Sequence, residues 1–183
     1  MRCDLCHRET PSVPAPFGEL QLCESCARGN IEHSLRPLGA HIESEQVLVV
    51  RSLSETVPEF RVRAYVPGLR EREASMVRRG LAGRVAGIFL PGARTGDAVF
   101  DDNVRARSKD MRWLGRLLES DAVQTAVIEA ALRDEGEIRI REQRIFATCV
   151  GELDVAEMGD MKRAVGVIAR GMAMLEDAWP TLR

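Results

Sequence analysis

From Phe60 to Val66 the chain reads FRVRAYV, so Phe60, Val62, Ala64 and Val66 alternate with Arg61, Arg63 and Tyr65. A two-residue period puts the apolar set on one side of a strand and the arginines on the other. Gln46 to Arg51 (QVLVVR) predicts a short apolar strand, and Val99 to Arg107 alternates again, with Phe100, Val104 and Ala106 on related faces. Glu137 to Arg141 and Arg144 to Val150 flank only Glu142 and Gln143 and predict a hairpin, although this loop lacks the Gly or Asn that two-residue turns favour.

Helical spacing governs the intervening and final stretches. Ser108 is positioned to cap a helix bearing Met111, Leu114, Leu117 and Leu118, and Asp121 with Gln124 to open a second one with Val123, Val127 and Ala130. Met158, Met161, Val165, Ile168, Met172, Leu175 and Trp179 step by three and four, giving the widest apolar helical face in the chain. Residues 71–90 are ambiguous: Glu71 to Arg79 has helical character, but Gly80, Gly83 and Gly87 each weaken a helix by about 1 kcal/mol relative to Ala. The pattern predicts a mixed α+β domain over residues 43–183, its C-terminal helix packed on a sheet.

Residues 1–42 are organised by cysteines instead. Cys3 and Cys6 in CDLC, and Cys23 and Cys26 in CESC, form two matched pairs with sixteen residues between them. Two residues between cysteines let both sulfurs of a tight turn face one point, and two such turns complete a tetrahedron. The spacing predicts one structural zinc per chain, held by Cys3, Cys6, Cys23 and Cys26. Four thiolates leave no open coordination position, so such an ion holds a fold and does not activate water. The alternative is a pair of redox dithiols. Between the pairs Pro11, Pro14, Pro16 and Gly18 force turns while Glu19 to Leu22 can extend, and Ile31, Leu35 and Leu38 then follow at helical spacing. With this order of turn, short hairpin, turn and helix, CDLC and CESC resemble the knuckles of the treble-clef and zinc-ribbon class. The resemblance covers about one fifth of the chain; it implies the metal and a small zinc-binding module, and it carries no activity with it.

Charge adds an asymmetry that the net value of -2 conceals. Residues 1–50 hold four Arg against seven acidic residues, 51–116 hold fourteen basic against eight acidic, and 117–183 hold eight basic against thirteen acidic. A basic middle attracts acidic partners, whereas mixed signs also simply solvate exposed faces. Against nucleic acid, the chain has only eight aromatic residues, with Tyr65 its one tyrosine, so stacking platforms are scarce. No apolar run approaches the roughly 18 residues of a membrane span. MRCDLC has no apolar stretch behind its arginine, and zinc-spaced thiols need a reducing compartment, so a cytoplasmic, bacterial protein is expected.

Candidate catalytic residues do not converge. HExxH, GxSxG and a phosphate-loop motif are all missing. Asp101 and Asp102 are adjacent in a predicted strand and would point to opposite faces. Cys149, within IFATCV, reads as a buried small hydrophobe, and His7, His33 and His41 as polar neighbours of the cysteine module. The first expectation is therefore a non-enzymatic, zinc-stabilised adaptor that binds a protein partner or itself. A nucleic-acid-binding regulator ranks second and an enzyme of unrecognised chemistry third.

Overall fold

The computed structural model describes residues 13–14, 21–22, 35–52, 55–80 and 92–178. Between the two cysteine pairs, β1 (Val13–Pro14) and β2 (Gln21–Leu22) lie antiparallel. A short 3-10 turn at Arg36–Leu38 leads into β3 (His41–Ser52), and β4 (Glu55–Tyr65) and β5 (Arg72–Arg78) follow. Then come α1 (Ala98–Asn103), β6 (Val104–Ser108), α2 (Met111–Leu117), α3 (Asp121–Ala131), β7 (Glu137–Glu142), β8 (Arg144–Val150) and α4 (Val155–Ala178).

The six long strands form one antiparallel sheet in the order β3-β4-β8-β7-β5-β6. The predicted α+β architecture is the one observed. Phe60, Val62 and Ala64 of β4, Ile138 and Ile140 of β7, and Ile145, Ala147 and Cys149 of β8 are buried on one face. Helices α3 and α4 cover that face, and α2 adds Trp113, Leu114 and Leu117. The final helix behaves as its spacing predicts as far as it is described: Met161, Val165, Ile168 and Met172 are buried and Met158 and Leu175 partly so, while Trp179 lies outside the described residues. At Gly171 a Cβ would stand 2.6 Å from Val123 Cγ2, so the glycine is what lets α4 approach α3 this closely. Leu35 and Ala40 are buried in the same core, just ahead of β3.

Several local expectations need correction. Residues 98–107 are not one strand: Asp97 accepts a hydrogen bond from the Phe100 N–H at 2.7 Å and caps α1, and extended structure begins only at Val104. Asp101 therefore serves the preceding loop, accepting from the Thr95 N–H at 2.9 Å and the Gly96 N–H at 3.2 Å. Asp110, not Ser108, caps α2 through the Trp113 N–H, while the Ser108 hydroxyl donates to the Glu73 carbonyl. Ser120 is the cap residue of α3, and the Gln124 side chain donates to the Leu118 carbonyl. Residues 72–78 are strand, with Ala74 and Met76 buried in the sheet. Among the described residues no helix is long and apolar enough to cross a membrane.

Candidate functional site

Cys3, Cys6, Cys23 and Cys26 lie outside the described residues, as do His7 and His33. Among the described residues no group of three or more His, Cys, Asp or Glu is arranged to hold a metal. Cys149 is 1% exposed and burial pushes its thiol upward, away from the reactive thiolate, as its apolar strand predicts. Asp101 and Asp102 are helical and the first is occupied in its loop. The described residues do bring together one set that the sequence reading left dispersed. This is the outward face of the sheet.

Strand pairing fixes which side chains share that face. Arg63 lies opposite Phe146, and Phe146 opposite Arg139, which makes a row across β4, β8 and β7. The next row is Tyr65, Arg144 and Arg141. These six contiguous positions hold four arginines, two aromatic rings and no carboxylate. The first row continues through Ser75 to Arg107, and the second through Glu73 towards Lys109 at the end of β6. Tyr65 is held in place: its hydroxyl donates to Gln143 Oε1 at 3.1 Å, and Gln143 Nε2 donates to the Leu69 carbonyl at 2.9 Å. The His41 ring lies 5.8 Å from the Tyr65 ring, so a third flat side chain borders the pair.

The electrostatics of the face are uneven. Glu45 accepts from Arg63 at 2.7 Å, Glu59 from Arg61 at 2.6 Å and Glu137 from Arg139 at 2.7 Å. Glu73 meets Lys109 at 2.5 Å, and Glu43 lies 3.7 Å from His41. Five glutamates of the face thus have a basic neighbour on the same face, while Glu55, at the start of β4, is in no ion pair among the described residues. Lys109 lowers the Glu73 carboxyl through its hydrogen bond. Arg105, Arg107 and Arg144 have no carboxylate partner among the described residues, and Nη2 of Arg107 is buried without a hydrogen bond. Arg141 and Arg144 stand directly opposite each other across β7 and β8. Like charges in that position are destabilising, and Glu142, 3.8 Å from Arg141, and Glu73, opposite it on β5, offset part of that cost.

Three shallow depressions cross the face in line. One of about 460 Å³ lies between His41, Glu43, Arg63, Tyr65, Arg144 and Phe146. A second of about 520 Å³ lies beyond Phe146, among Arg61, Arg63, Arg139 and Arg141, with Glu59 and Glu137 also in its wall. The third, about 450 Å³, is floored by Ser75 and Glu73 between Arg139 and Arg141 on one side and Arg107 and Lys109 on the other. The sequence holds part of this. The alternation identifies Arg61, Arg63 and Tyr65 as one side of a strand, and the hairpin register sets Arg141 against Arg144. The juxtaposition of Tyr65 with Phe146 needs the β4–β8 pairing, which joins residues far apart in the chain. No protein-family model, curated protein or solved structure matches the chain.

Proposed function

We propose that this chain is a non-enzymatic, zinc-stabilised adaptor whose open sheet face engages an anionic partner. The observation that supports it best is the surplus of arginine: five of the six glutamates of the face are matched by neighbouring cations, Glu55 stands apart at the start of β4, and Arg105, Arg107 and Arg144 are left over. A surface of leftover cations, opposed in one place at cost, is complementary to negative charge supplied from outside. In this reading Cys3, Cys6, Cys23 and Cys26 hold a structural zinc, because four soft thiolates at this spacing suit that ion. The compartment is the cytoplasm, where those thiols stay reduced.

The test uses heparin as a generic polyanion. With a net charge of -2 the chain has no overall attraction for such a matrix, so retention requires a local basic surface. The full chain should be retained at about 150 mM salt, and an Arg107→Glu/Arg144→Glu variant should emerge without delay. A wild-type protein that is not retained, or a variant retained equally, overturns this reading.

A further inference from the structure

We infer that the occupant of the open face is single-stranded nucleic acid, its bases stacked on Tyr65 and Phe146 and its backbone carried by Arg139, Arg141, Arg144 and Arg107. The inference rests on the docking surface proposed above and names its ligand. Aromatic rings set among cations on an exposed sheet are the arrangement that single strands use, because every base offers a π-face and every linkage a charge. Here the two rings lie diagonally on neighbouring central strands, β4 and β8. Diagonal cross-strand neighbours are about 7–8 Å apart, which leaves room for one base on each ring and not for one base shared by both. Phe146 has an arginine opposite it on each side, and Tyr65 has Arg144 beside it, so each stacked base has a cation within reach of its phosphate.

The line of depressions gives the strand a direction. It runs from His41 and Tyr65, over Phe146, to the trough above Ser75, crossing the β-strands at a steep angle. In the trough the small Ser75 separates Arg139 from Arg107, two strand spacings apart, or about 9.6 Å. A phosphate between them faces Arg139 on one wall and Arg107 on the other. An acidic protein segment would neutralise the arginines but has no use for two fixed rings. The strands that carry the rings, β4 and β8, are hydrogen-bonded on both sides, so an added peptide strand could pair only at the β3 or β6 edge, away from the two rings. A duplex fits less well, because its bases are already stacked and this flat face projects no element into a groove.

The experiment is fluorescence anisotropy with a labelled oligothymidine of about a dozen nucleotides at about 150 mM salt, using the full chain. Phe146→Leu keeps an apolar side chain beneath the ligand but removes the ring, and should weaken binding about tenfold. Tyr65→Leu should do the same, while Tyr65→Phe, which keeps the ring, should bind like wild type. Arg144→Gln should make the salt dependence shallower by about 0.7 in log–log slope, the increment for one phosphate contact on a single strand. Thermal melting of each variant distinguishes lost contacts from lost folding. A blunt duplex of the same length should bind more weakly. Equal affinity for Phe146→Leu and wild type, tighter binding of the duplex, or capture of a labelled polyglutamate peptide in preference to the oligonucleotide each overturns the inference. Heparin retention that persists alongside such a result leaves the anionic docking surface standing; loss of both removes it as well.

Discussion

Arg144→Gln should make the free protein more stable while weakening its binding. Arg141 and Arg144 are direct cross-strand partners at the closed end of the β7–β8 hairpin. A directly opposed like-charged pair is destabilising by about 0.2–1 kcal/mol, so about 0.5 kcal/mol is expected here. Glu142, 3.8 Å from Arg141, and Glu73, opposite it on β5, offset part of this, so the figure is an upper value. For a domain of this size 1 kcal/mol moves the melting temperature by about 2–4 °C, so a rise of about 1–2 °C is expected. The assay is thermal unfolding followed by circular dichroism at two ionic strengths. Repulsion should be felt at about 10 mM salt and vanish at about 1 M, where the screening length falls to about 3 Å. Arg141→Gln should gain less, because it also gives up its attraction to Glu142 and Glu73, and the double variant should gain no more than Arg144→Gln alone, because the repulsion is one interaction. A lower melting temperature at low salt, or a gain that survives at high salt, would refute the claim that the pair is held against stability for the sake of a ligand.

Other outcomes follow from the core, the helical layer and the cysteine pairs. Ile168 is fully buried beneath the sheet, so Ile168→Ala should cost about 2–5 kcal/mol, and the drop in melting temperature should not depend on protein concentration; dependence on concentration would relocate this helix to an interface. Burial raises the Glu129 carboxyl to about 7, against the opposing pull of Arg163 and Arg133. Its neutral form is favoured on folding, so the contribution is fully present below about 4.5 and is lost as pH climbs through about 7; Glu129→Gln should flatten the decline in melting temperature between these limits. Elemental analysis of protein purified without added metal should find about one zinc per chain, and Cys3→Ser or Cys26→Ser should lower that content while the α+β domain keeps its melting transition. Four free thiols and no metal would count against the zinc module.

Much of the fold can be read from side-chain period because the sheet has one buried and one solvated face. β4 and the β7–β8 hairpin alternate cleanly, and α4 repeats its apolar positions over six turns, so each is recognisable in isolation. β5 is harder, since seven residues fit either period and the glycines beyond it suggest a breaker. α1 is masked by an alternation that crosses its end: Phe100 and Val104 are both buried, but they belong to a helix and a strand respectively. The hairpin turn carries Glu142 at φ 58°, a left-handed position taken by a non-glycine residue, which is why turn chemistry alone gave no signal there. The candidate site depends on tertiary pairing. A count of eight aromatics dilutes Tyr65 and Phe146 across the whole chain, whereas the register concentrates them among four arginines.

The most direct measurement is hydroxyl-radical footprinting of the full chain with and without an oligothymidine of about a dozen nucleotides. Oxidation of Tyr65 and Phe146 should fall on addition of the oligonucleotide, while Met174 and Leu132, 66% and 38% exposed on the helical layer, should be oxidised as before. Protection at Met174 or Leu132 with Tyr65 and Phe146 unchanged would locate the ligand on the wrong side of the sheet and contradict the account.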